Sequence, residues 1–184
     1  GYLLKAQLYD AAGQPLLNNP LVRKTDEIIN EIHPRLDRVK FGLLETTIPD
    51  PKKWSPEAPN LYQLVLSLED SSGNILEVKT VKIGFRSIEF RNSDSKLLIN
   101  GKLTYLYGVN RPDHHPVRGK ALTREDIRQD ITTIKLFNFN CVRLSHYPSD
   151  PYLLDLCDEY GIMVIDEANH ETHGLGGKLD HDPQ

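Results

Sequence analysis

Sulfur-bearing residues are scarce in this sequence: among 184 residues there are two cysteines and one methionine. Two cysteines cannot build the disulfide framework that substitutes for a core in small secreted domains. Cys141 and Cys157 fall within a predicted strand and a predicted helix, so they read as small buried apolar residues and leave the redox compartment open. Long apolar runs are also missing. A run such as Ile162-Met163-Val164-Ile165 is far short of the roughly 20 residues that span a bilayer. No basic stripe forms, and 22 Lys+Arg against 26 Asp+Glu give a net charge of −4. Nucleic acid and anionic membrane are therefore poor candidates for main partners. Gly1-Tyr2-Leu3-Leu4-Lys5 lacks the charged and apolar regions of a secretory signal, and an opening on Gly1 suggests a chain that continues upstream.

What is present divides into two halves of different period. Residues 4–9 alternate, with Leu4, Ala6 and Leu8 opposite Lys5, Gln7 and Tyr9, before the turn at Asp10-Ala11-Ala12-Gly13-Gln14-Pro15. Residues 61–69 alternate likewise, with Leu64, Leu66 and Leu68 on one face, and Asp70-Ser71-Ser72-Gly73-Asn74 turns into residues 75–81. This spacing predicts an antiparallel β-sandwich, with no helical period before residue 100. Residues 54–60 (Trp-Ser-Pro-Glu-Ala-Pro-Asn) are too proline-rich for strand or helix and read as an ordered loop. Within 85–107, two short strands are expected around Asn100-Gly101, a dipeptide suited to positive φ at both positions.

Beyond residue 104 the period changes. Residues 105–109 read as a strand, and Thr123-Arg124-Glu125-Asp126 resembles a capping box with Asp in place of Glu or Gln. It opens a helix with Ile127, Ile131, Ile134 and Phe137 on one face, followed by a strand over 140–145. Asp150-Pro151 supplies an N-cap and an N1 proline to a helix carrying Leu153, Leu156, Cys157 and Tyr160, which stops at Gly161. Residues 162–165 are apolar throughout, as a parallel strand covered on both faces would be. Strand-helix-strand-helix-strand is an α/β pattern. Three parallel strands cannot close an eight-stranded barrel, and no glycine-rich phosphate loop is present for a nucleotide fold.

All three strands end in polar clusters, where βα folds place their active faces. The first runs Asn110-Arg111-Pro112-Asp113-His114-His115, the second Arg143-Leu144-Ser145-His146-Tyr147, and the third Asp166-Glu167-Ala168-Asn169 followed by His170-Glu171-Thr172-His173-Gly174. Six of the seven histidines lie beyond residue 110, and five of those fall in these clusters, which core packing alone does not explain. Three readings follow. A metal site is disfavoured by spacing, since His114 and His115 are adjacent and His170-Glu171-Thr172-His173 is one residue short of the zinc motif His-Glu-x-x-His. A carbohydrate site would need two carboxyl groups, about 5 Å apart for retention of configuration. Asp113, Asp166, Glu167 and Glu171 are available for it, but nothing local selects a pair. The third reading is a binding module or scaffold without chemistry.

Residues 140–148 (Asn-Cys-Val-Arg-Leu-Ser-His-Tyr-Pro), continuing through Leu153-Leu154, Asp158 and 161–165, resemble the first signature of glycoside hydrolase family 2. Residues 166–174 resemble the segment that follows in its bacterial β-galactosidases, and Gly108-Val109-Asn110-Arg111 with His114-His115-Pro116 resembles the start of their barrel. Upstream, residues 54–62 and Gly84-Phe85-Arg86 match the sandwich before it. Two departures stand out: Leu144 replaces a small residue, and Pro112-Asp113 replace His and Glu. With Arg143 and Ser145 on one strand face, Leu144 is expected to face the helices.

The resemblance implies an internal piece of a longer retaining hydrolase of terminal β-galactosides such as lactose. Its fold class would be multidomain β + α/β: an immunoglobulin-like sandwich over 1–86 with its first strand upstream, a hairpin over 87–104, and over 105–184 the first three βα units of an incomplete TIM (β/α)8 barrel. His146 and His173 would line the sugar site, Arg143 would orient its neighbours, and Asn110, Glu167, Asn169 and Glu171 would support them. The acid/base and nucleophile glutamates would lie downstream, leaving no catalytic residue and no metal ligand in this chain and making the piece inactive alone. Magnesium and sodium would belong to the longer protein, which is expected to be a homo-oligomer, cytoplasmic or periplasmic in a bacterium. The alternatives within this frame are a β-glucuronidase-type member and a non-catalytic carbohydrate-binding or scaffold module.

Overall fold

The structure, a computed structural model, describes residues 1–31 and 41–170. It divides into two compact units: Gly1–Trp54 with Asn60–Phe85, and Ser55–Pro59 with the chain from Arg86 onward.

In the first unit β1 (Leu3–Tyr9), β2 (Leu21–Lys24), β3 (Tyr62–Glu69) and β4 (Ile75–Ile83) form one antiparallel sheet in the order β2-β1-β3-β4. The period of two sets its register: Ala6 lies opposite Leu66 and Leu8 opposite Leu64, so the apolar sets share a face. Ala6, Leu8, Leu64, Leu66, Ile83 and Phe85 are among the walls of a cavity of about 390 Å³ on that face. Two turns have the same design. Asp10 Oδ1 accepts from Ala12 N (2.9 Å) and Gln14 N (2.8 Å), and Asp70 Oδ1 from Ser72 N (2.8 Å) and Asn74 N (2.9 Å). Gly13 and Gly73 take the positive φ (+77° and +85°) that lets each chain reverse. Trp54 is 2% exposed, and its backbone N–H donates to Phe85 O at 2.8 Å.

One helix departs from the all-strand expectation: α1 (Thr25–Asn30) follows β2 directly. It has six residues and buries none of them, so no apolar stripe of helical period could form in the sequence. Asp26 and Glu27 in its first turn suit the positive end of its dipole.

In the second unit β5 (Ile88–Arg91), β6 (Lys96–Ile99) and β7 (Lys102–Leu103) form an antiparallel meander. Asn100 (φ 53°) and Gly101 (φ 76°) make the expected turn, between β6 and β7. The expected pair of strands is thus three, because a turn over 92–95 adds β5. That turn is held by Arg91 on Asp94 (2.9 Å) and by Ser95 at positive φ (54°).

Next come β8 (Gly108–Arg111), α2 (Arg124–Leu136), β9 (Cys141–Leu144), α3 (Pro151–Tyr160) and β10 (Met163–Ile165), with the strands parallel in the order β10-β9-β8. β8 starts three residues later than the alternation suggested. The Asn140 side chain, accepting from Tyr107 N (2.8 Å) and donating to Tyr105 O (2.8 Å), ties down the approach to the strand instead. Gly108 is required there, since a Cβ would lie 2.7 Å from Cys141 O.

The caps read from sequence form. Thr123 Oγ1 accepts from Asp126 N (3.2 Å) and Asp126 Oδ2 from Thr123 N (2.7 Å); Asp150 Oδ1 accepts from Tyr152 N (2.8 Å), and Gly161 closes α3 at φ 69°. Ile127, Ile131 and Ile134 meet Val142, Leu144, Leu153, Leu156, Cys157 and Ile162 in one core. Leu144, 2% exposed, faces the helices as its strand position required. Phe137 does not join the core. It is the C-cap of α2 (ψ 15°), off the helical path, and is 69% exposed. β10 is not covered on both faces over its length either: it is an edge of the described sheet, and Ile165 is 44% exposed.

Candidate functional site

The register of the parallel sheet sets Asn110 of β8 beside Arg143 of β9, and Arg143 beside Ile165 of β10. Val142 and Leu144 are buried in the helix-facing core, so Arg143 stands on the other face, at the strand's C-terminal end. There it is the hub of a polar cluster. Arg143 Nη1 reaches Asn110 Oδ1 at 3.4 Å, Nη2 lies 3.2 Å from His146 Nδ1, and Nη2 also donates to Glu167 Oε1. His146 Nδ1 is 2.7 Å from Glu167 Oε2. The peptide bond between Ser145 and His146 is cis.

The electrostatics select one tautomer. The hydrogen bond from Arg143 holds the Glu167 carboxyl below the usual carboxylate range, with burial opposing and His146 adding to the effect. An ionised Glu167 only accepts, so the proton between it and His146 belongs to Nδ1. Nε2 then has no hydrogen-bond partner among the described residues, on a side chain that is 51% exposed.

A second cluster lies beside the first. Arg111, buried at 6% exposure, donates from Nη1 to Asp113 Oδ1 (2.6 Å) and from Nε to Asp130 Oδ2 of α2 (3.0 Å). Asp113 Oδ1 also accepts from Ser149 Oγ (2.9 Å), while Asp113 N donates to Tyr147 OH (3.0 Å). Lys120 Nζ sits 4.2 Å from the centre of the Tyr147 ring.

The structure thus brings Asn110, Arg143, His146 and Glu167 together. Asn169 is exposed and joins no hydrogen bond of the cluster. Glu171 and His173 lie outside the described residues. His115 is a turn former, its Nδ1 accepting from Val117 N (3.1 Å) and Arg118 N (3.2 Å). Among the described residues no group of three or more His, Cys, Asp and Glu side chains could hold a metal ion. Asp113 was legible only as a spare carboxylate. Its partners Tyr147 and Ser149 stand 34 and 36 residues away, and only the adjacency of two strand-end clusters hinted at them.

A polar cluster on the C-terminal ends of parallel strands fits the family found by comparison. Residues 2–86 match the model for "Glycosyl hydrolases family 2" and residues 90–183 that for "Glycosyl hydrolases family 2, TIM barrel domain". The chain belongs to glycosyl hydrolase family 2. Among relatives named β-galactosidase it is 47% identical to that of Alteromonas mediterranea over 149 residues, covering 80% of this chain and 14% of the relative. It is 42% identical to that of Vibrio vulnificus over 188 residues, covering 100% and 17%, and 45% identical to that of Priestia megaterium over 171 residues, covering 92% and 16%. The chain therefore spans a small part of these relatives' length. Among solved structures, the β-glucuronidase of Parabacteroides merdae superimposes with a TM-score of 0.78 at 27% identity, covering 97% of this chain and 20% of that one. The β-glucuronidase of Bacteroides uniformis gives 0.74 at 27%, covering 91% and 19%.

Proposed function

We propose that this chain supplies part of the sugar-binding wall of a retaining hydrolase of terminal β-D-galactosides. The observation that carries the reading is the Asn110–Arg143–His146–Glu167 cluster, with a half-exposed histidine whose proton is fixed by a carboxylate. A donor or acceptor held in place this way can hydrogen-bond a sugar hydroxyl more strongly as the ring gains oxocarbenium character, which lowers the barrier rather than only binding substrate. His173 is read as a second group lining the sugar, with Glu171 and Asn169 in support. Glu167 is a poor general acid, because its contact with Arg143 keeps it ionised. The acid/base and nucleophile carboxylates are accordingly assigned outside this chain, as are the ligands of the magnesium and sodium ions. Residues 1–86 are read as an immunoglobulin-like sandwich, 87–104 as a connecting hairpin and 105–184 as the first three βα units of a (β/α)8 barrel. The longer protein is read as a homo-oligomer.

The galactoside assignment rests on relatives 42–47% identical that carry that name. A glucuronide reading is favoured by the solved neighbours, at 27% identity. One assay separates them: the intact gene product with nitrophenyl β-galactoside and nitrophenyl β-glucuronide, product configuration followed by NMR. We expect cleavage of the galactoside with retention. Preference for the glucuronide would move the substrate to the second reading. Galactose binding without cleavage of either would make the protein a carbohydrate-binding module.

A further inference from the structure

We propose that Asp113 is a positioning residue for His146, acting as a clamp between the loops that follow β8 and β9. Four contacts converge on it. Its carboxylate accepts from Arg111 Nη1 (2.6 Å) and Ser149 Oγ (2.9 Å), its N–H donates to Tyr147 OH (3.0 Å), and its carbonyl accepts from the same hydroxyl (3.3 Å). Arg111 is fixed in turn by Asp130 of α2, so the clamp is anchored in the helix layer as well as the sheet. His146 sits between Ser145, which is buried at 8% exposure, and Tyr147, whose ring tip is tied to Asp113. The backbone on both sides of the histidine is therefore held, one side by the strand and the other by the clamp. Its ring is oriented separately, by Glu167, which Arg143 in turn holds. Orientation of the ring is of use only where the backbone beneath it is also fixed, since an ångström of misplacement is enough to forfeit much of a transition-state contact.

The consequence for turnover rests on His146 facing sugar; the placement itself does not, and the two are read separately. In the intact gene product labelled with isotopic histidine, Asp113→Asn removes the charge that Arg111 and Ser149 grip while keeping the shape. We expect the His146 ring resonances to shift and broaden in Asp113→Asn and, less strongly, in Ser149→Ala, with His170 unchanged. Unmoved His146 resonances in both folded variants would overturn the clamp, whatever the protein hydrolyses. On turnover, Asp113→Asn should lower kcat about tenfold, and that loss should vanish when His146 is already alanine. An equal loss in both backgrounds would mean that Asp113 supports the fold and does not act through His146.

Discussion

At the scale of single residues, the site depends on which nitrogen of His146 carries its proton. Glu167 answers that question: ionised by its contact with Arg143, it accepts a hydrogen bond from Nδ1–H, so the proton stays on Nδ1 and Nε2 is left for a ligand. The His146→Ala variant of the intact protein is expected to lower kcat more than it raises KM. The loss should be about tenfold to a hundredfold, the worth of a charge-linked hydrogen bond of about 1.5–3 kcal/mol. Initial-rate kinetics would check it, and an effect confined to KM would reassign the histidine to uniform ground-state binding. Sequence made the members of this cluster legible, because each sits at the end of an apolar run. Their hydrogen bonds were not legible, since which of several strand-end polar groups meet depends on register. Asp113 shows the limit best: its carboxylate fits a catalytic list as well as a structural one until Arg111 and Ser149 are seen to occupy it. Cys157 shows the opposite case. An apolar stripe placed it in the core, and burial pushes its thiol up to about 12, so it stays protonated at neutral pH.

At the scale of elements, local chemistry decided where helices begin and end. The capping box of α2 satisfies two N–H groups at once, and the Asp126 carboxyl is held far below its ordinary range, first by the Thr123 backbone and then by the Thr123 hydroxyl and Arg118. An acid whose pKa is depressed by folding stabilises the fold above its unfolded pKa, and that contribution is lost as pH falls through the folded value. Thr123→Ala should cost about 1 kcal/mol at neutral pH, read from urea unfolding followed by far-UV circular dichroism. The variant's deficit should shrink below the ordinary carboxylate range, as Asp126 becomes protonated in the parent as well. A deficit that stays constant to low pH would mean the threonine, not the reciprocal box, carries the effect. α2, α3 and the Asn100-Gly101 turn were legible because periodicity and end signals agree there. α1, β5 and the fate of Phe137 were not: one helix is too short for a period, one strand depends on a turn held by an ion pair, and Phe137 falls one residue past its helix.

At the scale of the molecule, the chain spans 14% to 17% of the length of its relatives, and both of its units present apolar groups to solvent. On β4, Ile75 (62%), Leu76 (54%), Val78 (49%) and Val81 (54%) are exposed; Ile88 (59%) and Phe90 (64%) are exposed on β5, and Ile165 (44%) on the sheet edge at β10. Apolar residues on exposed strands invite pairing with other chains, and natural proteins normally cover or charge such strands. The 184-residue chain prepared by itself should therefore self-associate, and it should hydrolyse no β-galactoside, because the acid/base and nucleophile carboxylates of the proposed hydrolase are assigned outside it. Sedimentation velocity across a hundredfold range of concentration would test the first expectation, with larger species growing as concentration rises. Replacing Val78 and Phe90 together by lysine should suppress that growth without loss of circular-dichroism signal, since neither side chain lies in a core. A single monomer boundary at every concentration in the unsubstituted chain would show that these faces are tolerated in water. Turnover by a preparation free of host enzyme would place at least one catalytic carboxylate within the chain.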